Sequence, residues 1–171
     1  MNNLFSYNKI YPRLVTKNIE IDGYFTLYEK KIIMEAICDW NEISQGLVTF
    51  RITNFDTRKI ATNKTKDNVV IIKSFASDEA IQLIEKQHGS KIVGFANTVS
   101  TPNIIFIVAD KLADKKMYKN VVIHELGHIA YLPHSKHKNS VMYYMINTNG
   151  LKNQDIMDLI YVHMIALNSH Q

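Results

Sequence analysis

The stretch HELGHIAYLPH, from His124 to His134, concentrates side chains that bind metals and move protons. Histidines four residues apart on a helix are separated by about 6 Å of rise and slightly more than one turn, so His124 and His128 leave the same face and can share one tetrahedral ion. Glu125 is offset by about 100° and is not placed as a third ligand on that face; it stands where its carboxylate reaches a metal-activated water. For His134 to supply the third imidazole, the helix must stop and the chain swing back. Three protein ligands then leave the fourth position open, as in hydrolytic rather than structural zinc sites. Zinc brings the pKa of water to about 7 and polarises a carbonyl, while a neighbouring carboxylate takes the proton and passes it to a leaving amine. A bare HExxH also arises by chance on solvated amphipathic helices. The third histidine at this spacing argues against chance.

Positioning these groups requires elements that the hydrophobic pattern outlines. Phe25 to Ile43 reads as a long amphipathic helix, with Ile32, Ala36 and Trp40 in one row, Ile33 and Ile37 in the next, and Thr26 and Glu29 as a capping box. Strands are expected at Leu47 to Thr53, Asn68 to Phe75 and Asn103 to Ala109. Lys91 to Val99, interrupted by Gly94, suits a sheet edge where a glycine lets another chain approach. A short surface helix over Ser77 to His88 starts at Ser77 or Asp78 and ends at Gly89. The metal pair rides on a helix from Lys115 to about Tyr131, which Pro133 prevents from continuing far, and a last helix spans Leu151 to Leu167. A helix, several strands and two more helices imply an α+β fold, a mostly parallel twisted sheet with one antiparallel edge strand packed on three main helices.

With these elements in place the sequence resembles the metzincin metallopeptidases, and among them the matrixins. Their pattern HExxHxxGxxHS is met at His124, Glu125, His128, His134 and Ser135, and Val121 also fits. SVMYY lies beyond His134 and places Met142 where the methionine turn of that clan runs beneath the metal. GLKNQDIMDLIYVH resembles the matrixin final helix, with Asp155 where the family hydrogen-bonds the backbone of that turn, and EAICDWNEISQGLVTF resembles its first helix and strand. The likeness covers most of Thr26 to Tyr161. It implies a metzincin-like zincin fold and a zinc endopeptidase with His124, His128 and His134 as ligands and Glu125 as general base. It further implies that Gly94, Phe95, Ala96 and Asn97 receive substrate as an added antiparallel strand. A hydrophobic specificity pocket would be walled by Val121, Tyr143, Tyr144 and the segment up to Ile146, favouring a medium or large apolar residue after the cut bond. For Tyr144, simple packing is an equal alternative.

Several positions depart from the pattern. The family glycine after the second histidine is Tyr131 here; that helix end needs a left-handed residue, in which a side chain costs about 1–2 kcal/mol. The proline that usually follows the Met-Tyr pair is Tyr144. Animal matrixins carry a second, structural zinc and calcium ions, but the corresponding region holds His88 and no carboxylate-rich loop, so one catalytic zinc and neither of the others is expected. Cys38 lies within the first helix, outside any cysteine-switch context. His137, His163 and His170 read as a loop residue, a helix residue and a terminal one.

Composition bounds the rest. The chain of 171 residues suits one domain, 1–171, and its single cysteine, Cys38, leaves no intrachain disulfide and reads as a quiet packing residue. A net charge of +4 comes from lysines spread along the chain, which suits solubility and a monomer and not nucleic-acid binding. No apolar run approaches the roughly 18 residues of a membrane span. No export signal is evident, so a cytoplasmic location is the default, with release by an unadvertised route as the alternative. Three other readings use the same residues. A peptide-binding or inhibitory protein on this fold would not need Glu125; a deformylase-type hydrolase would need a glycine-cysteine ligand motif that is missing; a metal-free domain would leave the joint matches unexplained.

Overall fold

A computed structural model describes residues 14–57, 65–89, 91–145 and 150–168, the side chains of 163–168 excepted. One five-stranded sheet carries the fold. Its elements in chain order are β1 (Val15–Asp22), α1 (Leu27–Ile43), β2 (Val48–Thr57), β3 (Asn68–Ser74), α2 (Glu79–His88), β4 (Gly94–Asn97) and β5 (Asn103–Val108). A 3₁₀ turn (Ala109–Lys111), α3 (Lys115–Ile129) and α4 (Asn153–Asn168) follow. The strand order is β2-β1-β3-β5-β4. Three pairings are parallel and only β4 runs antiparallel, against β5, with Phe95 opposite Phe106. The expected α+β architecture with one antiparallel edge strand is therefore present.

The sequence reading missed β1, which precedes the first helix and lies inside the sheet between β2 and β3. Its inward positions are Val15, Lys17, Ile19 and Ile21. A lysine in that row breaks the apolar alternation by which a half-buried strand is recognised. Several boundaries also move. β2 runs on to Thr57 beyond the expected Thr53, held by pairing with β1 that the sequence pattern does not report, and β4 is confined to four residues.

Local chemistry sets the helix starts. Thr26 Oγ1 accepts the Glu29 N–H at 3.2 Å and Glu29 Oε2 accepts the Thr26 N–H at 2.7 Å, the reciprocal box expected for α1. α2 begins after Asp78 and ends on Gly89 at φ 67°, and α3 begins where Asp114 accepts the Met117 N–H at 2.8 Å. α1 packs its Ile32, Ile33, Ala36, Ile37 and Trp40 row into the core. Trp40, fully buried, donates its indole N–H to the Ile123 carbonyl of α3 at 3.0 Å, so the first helix grips the third one residue before the first metal-type histidine. Asn41 holds α1 to the sheet by bonding both the N–H and the carbonyl of Phe50, at 2.8 and 3.0 Å. Cys38, expected to be a packing residue, is exposed on the outer side of α1, since it follows the buried Ile37 by a step of about 100°. Among the described residues no helix is long and apolar enough to cross a membrane.

Trp40→Phe keeps the ring in the core but removes its hydrogen bond to α3. Chemical denaturation should show a loss of about 1–3 kcal/mol, and an unchanged midpoint would mean that the indole N–H contributes nothing to the α1–α3 contact.

Candidate metal centre

α3 presents His124 and His128 on one face, with ring centroids 4.8 Å apart. The chain then turns and returns His134, whose ring lies 5.2 Å from His124 and 4.8 Å from His128. One nitrogen from each of the three lies within 4.8 Å of the others, a cluster that suits a single metal ion. His124 and His128 are half-buried and His134 is exposed, so the cluster opens on one side to solvent.

Hydrogen bonds fix which nitrogens face the centre. His124 Nδ1 lies 2.7 Å from the Val141 carbonyl and His128 Nδ1 lies 2.8 Å from the Leu132 carbonyl. A carbonyl only accepts, so both Nδ1 atoms carry the proton and both Nε2 atoms present a lone pair. Those Nε2 atoms stand 3.2 Å apart. Two lone pairs at that separation repel unless a cation mediates between them. Burial pushes His124 down to about 4, against a smaller opposing effect of the Val141 bond, and burial lowers His128 likewise. A proton is thus disfavoured as that cation. Two such imidazoles, a third ring from His134 and an open fourth side fit a zinc ion.

The turn that returns His134 is built on Tyr131. Its φ is 71°, the left-handed conformation the family glycine would supply. The Tyr131 N–H bonds the His128 carbonyl at 2.9 Å and the Leu132 N–H bonds the Gly127 carbonyl at 3.0 Å, a complete Schellman end for α3. The Leu132 carbonyl produced by this ending is the one that holds His128.

Below the helix lies Met142, 2% exposed, in a turn where Ser135 N–H bonds the Met142 carbonyl at 2.8 Å and Tyr143 N–H bonds the Ser140 carbonyl at 3.1 Å. The Val141 carbonyl of the same turn holds His124. Asp155, fully buried at the start of α4, accepts the Ser140 hydroxyl, and Ser140 Oγ in turn accepts the Met142 N–H at 3.0 Å. Asp155 reaches the turn backbone through this hydroxyl, where the resemblance implied a direct bond. Its other oxygen accepts the Lys152 N–H at 2.8 Å, closing the first turn of α4.

Glu125 is 6% exposed. Burial raises its carboxyl to about 8, opposed by a hydrogen bond from the backbone of Ala96. β4 crosses directly above it: a Cβ added to Gly94 would come within 2.7 Å of both Glu125 Oε1 and Val121 Cγ1. At Gly94 the edge strand therefore approaches α3 too closely for a side chain, and Val121 is buried beneath it. Phe95, Ala96 and Asn97 are half-buried along the same edge, with Phe95 against the His88 ring at 5.4 Å. Tyr143 and Tyr144 follow the methionine turn with ring centroids 4.6 Å apart, Tyr144 being 65% exposed. Ile146 and His170 fall outside the described residues, as does the side chain of His163; His137 is an exposed loop residue.

Sequence reasoning overlooked Gly127, Ser140 and Lys17, the last of which touches Tyr131. Gly127 had a signal. A glycine inside a helix costs about 1 kcal/mol relative to alanine, so its presence between two metal-type histidines points to a close neighbour. A Cβ there would run into the Met142 sulfur, and would stand 3.0 Å from Met142 Cε and 3.3 Å from Trp40 Cζ2.

Fold and site together define a metzincin-type zinc-peptidase domain. Residues 26–163 match the matrixin family model, and the chain belongs to that family. Solved structures agree in fold. Archaemetzincin from Methanopyrus kandleri is 13% identical with a TM-score of 0.54, over 88% of this chain and 97% of that one. Metalloproteinase-II from Bacteroides fragilis is 12% identical with a TM-score of 0.52, over 91% of this chain and 53% of that one, so this chain spans about half its length. Myroilysin is 11% identical with a TM-score of 0.52, over 90% and 85%. No curated protein matches the sequence.

Gly127→Ala should force Met142 and Trp40 away from α3 and cost about 1–3 kcal/mol of stability. Since the turn that carries Met142 also holds His124, zinc affinity measured against a chromophoric chelator should weaken by about tenfold. Wild-type affinity in a destabilised variant would uncouple the methionine turn from the metal.

Proposed function

We propose that this matrixin is a zinc-dependent endopeptidase that cuts peptide chains laid in extended form along β4, with His124, His128 and His134 holding the ion. The observation that carries this reading is the carboxylate of Glu125 packed beneath the edge strand at Gly94 and next in sequence to His124. Zinc, when bound, supplies a Lewis acid that makes water a nucleophile near neutral pH and polarises the scissile carbonyl.

The chain's own groups do the remaining work. Glu125 takes the proton of the attacking water and delivers it to the leaving amine. Its burial suits the first half of that task, because a desolvated carboxylate binds a proton more readily than an exposed one, while a divalent ion beside it would favour the ionised form that must come first. The free edge of β4, through Gly94, Phe95, Ala96 and Asn97, offers backbone groups to an antiparallel substrate strand, which gives affinity with little sequence preference. Val121 shapes the floor beneath that strand, and the Tyr143–Tyr144 pair beside the metal selects an apolar residue after the cut bond. Met142 and Asp155 support the site from below through the turn that orients His124.

A quenched-peptide library should be cleaved by the zinc-loaded protein, and a chelator should stop the reaction until zinc is returned. Stoichiometric zinc with no cleavage of any peptide would replace the enzyme by a binding protein on the same fold. Glu125→Ala should retain the metal while kcat falls by at least about 100-fold.

Gly94→Ala presses on the Glu125 carboxylate without touching a histidine. Its zinc content should equal that of the wild type while kcat/KM drops by about tenfold or more, since small misplacements of a reacting group are costly. Full activity would show that the carboxylate has room to move aside.

A further inference from the structure

Lys17 is an anomaly in the fold. It occupies an inward position of β1 and is only 4% exposed, among residues otherwise apolar. Burying an ammonium is costly unless its donors are used. All three are: Nζ donates to the Lys66 carbonyl at 2.8 Å, to Asp67 Oδ1 at 3.3 Å and to the Tyr131 hydroxyl at 3.3 Å. The same nitrogen lies 5.5 Å from the centroid of the Tyr131 ring.

Tyr131 is itself an anomaly, a bulky residue at φ 71° on the one position of the zinc motif where the conformation is left-handed. A side chain there is disfavoured, so something must hold it. What depends on that conformation is specific. It closes the Schellman end of α3, directs the Leu132 carbonyl onto His128 Nδ1, and starts the reversal that brings His134 back. Lys17 and Tyr131 are 114 residues apart in sequence. Their contact is a route by which the sheet reaches the metal ligands.

We propose that Lys17 is a positioning residue for the metal centre: by holding the Tyr131 hydroxyl it secures the left-handed helix end that orients His128 and delivers His134. The strand lysine thus takes over a task that glycine performs by conformational freedom alone. This rests on the zinc reading above but makes a separate claim, that the geometry of the ligand set is maintained from β1.

The test measures zinc affinity by competition with a chromophoric chelator, with circular dichroism of each metal-free variant to establish folding. Lys17→Met and Tyr131→Phe should each weaken zinc by about tenfold, and the double variant should be no weaker than either. Tyr131→Phe leaves the buried lysine in place, so it tests the same bond even if Lys17→Met fails to fold. The decisive arm uses Tyr131→Gly, where the left-handed turn needs no tether: adding Lys17→Met to it should leave zinc affinity unchanged. Wild-type affinity in both single variants would overturn the proposal, as would an equal loss from Lys17→Met with tyrosine or glycine at 131, which is the behaviour of a lysine that only stabilises the sheet. A wild-type protein that binds no zinc would instead bring down the functional reading, and this inference with it.

Discussion

Two bare imidazole nitrogens held 3.2 Å apart need a cation, and the surroundings decide which one. Burial disfavours a proton on His124 and His128, while both rings remain free to donate electrons. The same burial raises the carboxyl of Glu125 beside them. A divalent charge answers both conditions, since it accepts the lone pairs and favours the ionised carboxylate. The site is thus electrostatically incomplete as a set of side chains.

Most of the remaining structure keeps that set from relaxing. The rings would swing apart if their Nδ1 protons lost the Val141 and Leu132 carbonyls, and each carbonyl is held by a different device. Val141 belongs to the methionine turn, which the buried Asp155 braces through the Ser140 hydroxyl. Leu132 belongs to the helix end, which turns on Tyr131. Glycines admit two of the closest approaches, Gly127 for Met142 from below and Gly94 for the edge strand from above. α3 is clamped between them, with Trp40 holding it to α1.

Much of this was legible in the amino-acid order, and the limits were physical. The first helix, three strands, the edge strand and the metal helix follow from periodicity and end signals, because those patterns report local burial. β1 did not, since Lys17 occupies an inward position and its compensation comes from Lys66, Asp67 and Tyr131, groups far away in the chain. Cys38 was misjudged because one step around a helix separates core from solvent. The need for a left-handed residue after His128 was readable from the motif. That a tyrosine meets it, and what touches the tyrosine, was not.

The spacing of His124, Glu125, His128 and His134 by itself determined the chemistry available: a paired ligand face, a base offset from it and a third imidazole across a turn. The first two follow from the pitch of a single helix and need no partner, and the third from the Pro133 that forbids that helix from continuing. Tertiary structure alone decided which nitrogen of each ring faces the centre, how deeply Glu125 is buried and where β4 crosses α3. Those properties arise from carbonyls, strands and side chains brought together from distant parts of the chain, and no local pattern encodes a contact whose other half lies a hundred residues away.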